Sequence, residues 1–204
     1  MPVQPHAVIF DVGNVLFDWD PRFLYERLIE DDRALDAFLA DVVTKQWHFQ
    51  HDEGRPFAET SAELSALYPQ HADLIAAWGP RFNESVGGPI PGMLEIVAEL
   101  AARDVPLFAI TNFSGEFWPP FRASQEAVFA PFRDVVVSGD EKLVKPDPAI
   151  YALALKRFGL DASQAVFVDD NLANVESSRA AGIHTVHFTD AAAFRAELER
   201  LELL

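Results

Sequence analysis

Cysteine is absent from the 204 residues. That excludes disulfide scaffolds, thiolate metal sites and thiol nucleophiles. Positive charge is scarce: 16 Lys and Arg stand against 32 Asp and Glu, a formal net charge of −16. So acidic a chain repels phosphodiester backbones and anionic lipid surfaces, so neither nucleic-acid nor membrane partners are expected. Any anionic ligand must be met by a local cation. Long hydrophobic runs are missing too. The opening MPVQPHAVIF holds no Lys or Arg and only a short apolar run before Asp11. The expectation is a cytoplasmic protein without signal peptide or membrane span. What is present is ordinary for a globular protein, with 50% hydrophobic and 24% charged residues. That is enough for a sizeable core in one domain, or in one domain with an insertion.

Four short apolar runs are rich in β-branched or aromatic residues and stop at a polar one: AVIFDV (residues 7–12), VPLFAIT (105–111), DVVVS (134–138) and AVFVDD (165–170). They read as buried parallel strands, with HTVHF (184–188) a weaker fifth. Helical periodicity covers residues 92–103, 148–158 and 171–181, the last two closed by Gly159 and Gly182. This alternation predicts an α/β, doubly wound parallel sheet of Rossmann-like form, whose ligand site lies outside the carboxyl ends of the strands. Residues 19–85 break the pattern. They offer no convincing strand but amphipathic stretches at 22–29, 34–43, 58–68 and 72–77, which read as a small α-helical cap inserted after the first strand. Gly87-Gly88-Pro89-Ile90-Pro91-Gly92 reads as a turn-rich hinge back to the sheet. The expected division is a core of residues 1–18 and 86–204 and a cap of 19–85, with a closing helix at 191–204.

Four polar signatures fall at the expected carboxyl edge: Asp11, Thr111-Asn112, Lys145 and Asp169-Asp170. Asp11 and Asp170 on neighbouring strands would repel one another unless a cation sat between them, and hard oxygen ligands suit Mg²⁺. A nearby lysine would balance the remaining charge. The Thr111 hydroxyl and the Asn112 amide can donate to phosphoryl oxygens, which completes a site for phosphoryl transfer.

The runs FDVGNVLFD (10–18), AITN ending at Asn112, VKPDPAIY around Lys145 and FVDDN (167–171) together resemble the four motifs of the haloacid dehalogenase-like hydrolase superfamily. The DVGNV version and the segment NFSGEFWPPF are similar to bacterial phosphatases acting on small sugar phosphates. The resemblance implies that Asp11 is the nucleophile, forming an aspartyl phosphate that water hydrolyses. The Gly13 carbonyl and Asp170 would join Asp11 on Mg²⁺, with Asp169 acting through water or pairing with Lys145. Thr111 and Asn112 would hold the phosphoryl oxygens, and Lys145 would neutralise the nucleophile and the transferring group.

One position departs from the family pattern. The usual phosphatase carries a second aspartate two residues after the nucleophile as general acid and base, and here that place is Gly13. Asp18, Asp20, His48 and His51 are candidate replacements, and His48 and His51 are also candidates to touch substrate. The departure keeps two rivals open: a metal-free haloacid dehalogenase using Asp11, and a pseudoenzyme whose cap binds a protein. Trp47 and Phe49 read as packing, and Glu30-Asp31-Asp32 as a solvated helix end. Phe117, Trp118 and Phe121 either cover the site or pack a subunit, and the oligomeric state stays open.

Overall fold

Ala7–Phe10 forms strand β1 of the computed structural model, which describes residues 4–204; Met1 to Val3, the start of the N-terminal stretch read above, lie outside the described residues. The further strands are β2 (Phe17–Trp19), β3 (Val86–Pro89), β4 (Leu107–Thr111), β5 (Phe132–Val137), β6 (Ala165–Asp169) and β7 (His184–His187). Five of them make one sheet in the order β5-β4-β1-β6-β7, with every neighbouring pair parallel. β1 is therefore paired along both edges, and all four of its residues are buried. Successive side chains of a strand point to opposite faces, and the core divides accordingly. Val8 and Phe10 join Leu107 and Val166 in one apolar cluster, while Ala7 and Ile9 join Phe108, Phe167 and Tyr151 in the other. This is the doubly wound α/β architecture that the alternation predicts.

Helices α1 (Pro21–Tyr25), α2 (Asp32–Asp41), α3 (Lys45–Asp52), α4 (Phe57–Leu67) and α5 (Ala72–Ala77) occupy the span between β2 and β3. The first three begin where a short polar side chain satisfies a free amide of the first turn. Asp20 accepts from Arg22, Asp31 from Ala34 and Thr44 from Trp47. β2 and β3 pair antiparallel as a two-stranded ribbon. The ribbon corrects the sequence reading twice, since Trp19 belongs to a strand and Gly87 and Gly88 extend one rather than serving only as a hinge. A three-residue strand is too short to show an alternation. Trp19 Nε1 donates to Ser85 Oγ at 3.1 Å and ties the two ends together.

The remaining helices are α6 (Met93–Ala102), α7 (Trp118–Ser124), α8 (Glu126–Phe129), α9 (Ser138–Glu141), α10 (Pro148–Phe158), α11 (Leu172–Ala180) and α12 (Ala191–Arg200). α10 shows why the pattern was readable. Asp147 caps it by accepting from the Ala149 amide, Pro148 opens its first turn, and Gly159 ends it at φ 68°. No helix among the described residues is long and apolar enough to cross a membrane. After β1 the chain places β4 and β5 on one side of that strand and β6 and β7 on the other. The crevice at the carboxyl end of β1 is thus where side chains from separate stretches converge.

Candidate active site

Asp11 follows β1 directly, its amide donating to the Val168 carbonyl at 2.9 Å. Thr111 and Asp169 are the last residues of β4 and β6. Lys145 enters from the segment after α9, and its buried ammonium bridges two strands: Nζ lies 2.8 Å from Asp11 Oδ1 and 2.7 Å from Asp169 Oδ2. Asn112 holds the lysine's backbone, its Nδ2 donating to the Lys145 carbonyl at 2.9 Å and its Oδ1 accepting from the Lys145 amide at 2.8 Å. Asp169 is fully engaged. The Asn171 amide donates to Oδ1 at 2.8 Å, and Asn174 Nδ2 donates to both oxygens at 3.0 and 3.1 Å. Asn174 is itself fixed by Tyr151, whose hydroxyl donates to its carbonyl at 3.0 Å.

Carboxylate oxygens of Asp11, Asp169 and Asp170 lie within 4.8 Å of one another. Burial pushes the Asp11 carboxyl well above the ordinary range; Lys145 opposes that shift while Asp169 and Asp170 add to it. For Lys145, burial works against the charge, but Asp11 and Asp169 outweigh it and hold its pKa high. Burial, then the Asp169 charge, raises Asp170. One ammonium among three carboxylates leaves an excess of negative charge that a divalent cation would relieve. The donors fit such an ion. Asp169 is occupied by Lys145 and two asparagines, whereas Asp11 Oδ2 and the Asp170 carboxylate accept no hydrogen bond from another residue among those described. Free, hard oxygens of this kind match Mg²⁺.

Asp11, Gly13, Asn112, Lys145 and Asp170 line a cavity of about 300 Å³. Its opposite wall comes from the helical insertion and the ribbon, with Trp19, Lys45, His48, Phe49, Asp52 and Phe82. A sequence model of the haloacid dehalogenase-like hydrolases matches residues 5–182 of this chain. The protein belongs to the haloacid dehalogenase-like hydrolase family. A sesquiterpene phosphatase of Aspergillus oryzae is 29% identical over 203 residues, covering 96% of this chain and 95% of that one. A phosphorylated carbohydrates phosphatase of Thermotoga maritima is 26% identical, covering 89% of this chain and 83% of its own length. The fold matches a HAD family enzyme of Bacteroides thetaiotaomicron, solved as a magnesium complex, with TM-score 0.72 at 18% identity over 97% of this chain and 100% of that one.

In this haloacid dehalogenase-like hydrolase, the expected residues are brought together unevenly. Asp11, Gly13, Asn112, Lys145, Asp170 and His48 line the cavity. Thr111 is buried at the end of β4, and its hydroxyl makes no hydrogen bond among the described residues. His51 does not reach the cavity. Its Nε2 lies 2.7 Å from Thr60 Oγ1 and its ring packs edge-on to Trp47, because its position on α3 faces α4. His48 sits between Trp19 and Phe82, with burial lowering its pKa to about 3. Such an imidazole is neutral and holds no spare proton at physiological pH. Asp20 is used as the cap of α1, and Asp18 is exposed on the ribbon, outside the cavity lining. Phe49 lines the cavity instead of packing, while Trp47 packs against Trp78. Phe121 also faces the cavity, and Phe117 and Trp118 pack inside the chain on Phe82 and Phe129. Sequence reading missed Lys45, Asp52 and Asn174. Only Asn174, one turn into the helix after Asp169, had a positional signal.

Proposed function

We propose that this hydrolase is a Mg²⁺-dependent phosphomonoesterase that cleaves a small phosphorylated metabolite, a sugar phosphate foremost, through an aspartyl phosphate on Asp11. In this reading residues 19–85 form a cap over a core of residues 1–18 and 86–204. The observation that carries it is the Lys145 ammonium bridging Asp11 and Asp169 at the floor of an open cavity. A buried lysine paired to the nucleophile orients its attacking oxygen and meets the phosphoryl charge that the acidic surface would otherwise repel.

Asp11 attacks phosphorus, the bond to the leaving oxygen breaks, and water later displaces the phosphate from the Asp11 carboxyl. The Thr111 hydroxyl donates to a phosphoryl oxygen, and Asn112 acts through its hold on Lys145. Asp11, Asp170 and the Gly13 carbonyl would hold the Mg²⁺, which supplies charge neutralisation at the transferring group. Both named relatives are phosphatases, which supports phosphorus as the electrophile. The aromatic wall of Trp19, Phe49 and Phe82 suits a leaving group with an apolar face, such as the C–H face of a sugar ring. Displacement of halide without metal gives Asp170 no role.

Phosphate release from a panel of sugar phosphates, nucleotides and phosphorylated acids tests the reading. Turnover should need Mg²⁺, stop with chelator and vanish in Asp11→Asn. Halide release from a haloacid, or no turnover across the whole panel, would overturn it in favour of the dehalogenase or a binding role.

A further inference from the structure

An alcohol leaves phosphorus only if its oxygen receives a proton, and the position two residues after Asp11 is a glycine that has none to give. Three carboxyl groups line the cavity: Asp11, Asp52 and Asp170. Asp11 is committed to attack and Asp170 to the cation. Asp52 is the last residue of α3, 5% exposed, and its Oδ1 has no hydrogen-bond partner among the described residues. His48 Nε2 lies 3.6 Å from that oxygen, beyond hydrogen-bond range. A buried polar oxygen left unpaired is destabilising. Its retention at a cavity wall points to use.

The segment is held to the catalytic floor by backbone contacts. Ser138 Oγ donates to the Asp52 carbonyl at 2.7 Å and accepts from the Phe113 amide at 3.0 Å, which joins the end of α3 to the segments after β4 and β5. A Cβ at Gly139 would lie 2.9 Å from the Phe113 carbonyl and 3.1 Å from that of His51, and one at Gly54 would lie 2.7 Å from the Gly139 carbonyl. The glycines permit this approach, so Asp52 is seated against the same elements that carry Thr111 and Lys145.

Resting on the phosphatase reading above, we propose that the Asp52 carboxyl is the proton donor to the leaving oxygen and the proton acceptor for the hydrolytic water. In the first step Asp11 forms its bond to phosphorus, the phosphorus–oxygen bond of the ester breaks with its electron pair going to the alcohol oxygen, and the Asp52 proton joins that oxygen. In the second, the Asp52 carboxylate takes a proton from water as the water oxygen attacks phosphorus. Inorganic phosphate leaves, and both carboxyls return to their starting states. The surroundings keep Asp52 protonated at rest: burial raises its pKa to about 8, against the pull of Lys145 and with help from Glu53. The other titratable groups on its helix are His48 and His51, both held neutral by burial, and Lys45, exposed in its first turn. α9, packed against the end of α3, turns Ser138 toward it and Asp140 toward Gly115.

Asp52→Asn keeps the shape and removes the proton. With sugar phosphates its kcat should fall about 10²–10⁴-fold, the usual worth of general acid–base help. With p-nitrophenyl phosphate, whose leaving group needs no proton, the first turnover should stay near the wild-type rate and appear as a burst of nitrophenolate before slow turnover. The wild-type loss of kcat/KM above about pH 8 should disappear in the variant. Gly13→Asp places a carboxyl in open space, with nothing within 4 Å of its Cβ, and should restore sugar-phosphate turnover to Asp52→Asn. Asp52→Glu, which keeps a proton to give, should retain more activity than Asp52→Asn. An equal first-turnover loss for both leaving groups, or no loss, overturns the assignment of Asp52 alone. A wild-type enzyme that releases phosphate from no substrate, p-nitrophenyl phosphate included, overturns the phosphatase reading beneath it.

Discussion

Asn112 holds Lys145 by both backbone polar groups, with hydrogen bonds of 2.9 and 2.8 Å between one carboxamide and the amide and carbonyl of a single residue. The lysine's ammonium is thereby placed from its backbone outward, before any contact of its side chain is made. Asn112→Ala should remove about 1–3 kcal/mol at roughly 0.5–1.5 kcal/mol per hydrogen bond. It should also lower kcat by misplacing Nζ. Asn112→Asp keeps the acceptor and loses the donor, so it should fall between the two. Melting temperature and steady-state kinetics measured on the same samples check this, and an unchanged kcat in Asn112→Ala would contradict it.

Lys145 is the single ammonium among Asp11, Asp169 and Asp170. Lys145→Met leaves buried carboxylates without their partner, an arrangement that typically loses about 3–5 kcal/mol. Removing a carboxylate as well should recover part of that loss, so Lys145→Met combined with Asp11→Asn should be more stable than the sum of the single variants predicts. A chemical-denaturation double-mutant cycle reads this coupling. Mg²⁺ should raise the wild-type melting temperature and should not raise that of Asp170→Asn.

Stability should depend on pH with two opposing slopes. Burial lowers His48 from 6.5 to about 3 and His51 from 6.5 to about 4, so the unfolded chain binds more protons there and stability is lost as pH falls below 6.5. Burial raises Asp52 from 3.8 to about 8, so the folded chain binds the extra proton and stability is lost as pH rises from about 4 to about 8. Above 6.5 the histidines contribute no slope, while Asp52 does, and Asp11 and Asp170, also raised by burial, slope the same way. Relative to wild type, Asp52→Asn should lose Asp52's share of the decline between pH 6.5 and 8, where one proton is worth about 1.4 kcal/mol per pH unit. Urea midpoints across pH for the two proteins make the comparison, and parallel curves would contradict it.

Lys45 stands exposed where α3 meets the cavity and has no ion-pair partner among the described residues. In a chain of charge −16 a free cation at the entrance favours an anionic substrate. Lys45→Gln should raise KM roughly fivefold, about 1 kcal/mol for one charge contact near water, with kcat little changed. The effect should shrink as salt rises. A change in kcat with KM constant would place Lys45 in a different role.

The sheet and the polar residues at the carboxyl ends of its strands were legible because buried parallel strands are continuous apolar runs, and Asp11, Thr111 and Asp169 end such runs. Lys145 was legible through the VKPDP segment, which resembles one of the family's motifs. The ribbon was not, since Phe17–Trp19 and Val86–Pro89 are short and owe their pairing to contacts across the insertion. The insertion's contribution to the site was misread for a related reason. On α3, His48 and His51 stand three residues apart, yet one meets the cavity and the other meets α4, and helical spacing alone does not say which face looks inward. Asp52 carries no sequence signal at all. It is one acid among 32 Asp and Glu, and only its burial and its unpartnered oxygen set it apart.

The most direct test is chemical trapping of the phosphorylated enzyme. Quenching turnover with sodium borohydride reduces an aspartyl phosphate to homoserine, and peptide mass spectrometry locates the change. Attack by Asp11 predicts homoserine at position 11 alone, dependent on substrate and Mg²⁺. Homoserine at another aspartate, or none while phosphate is being released in a burst, would contradict it.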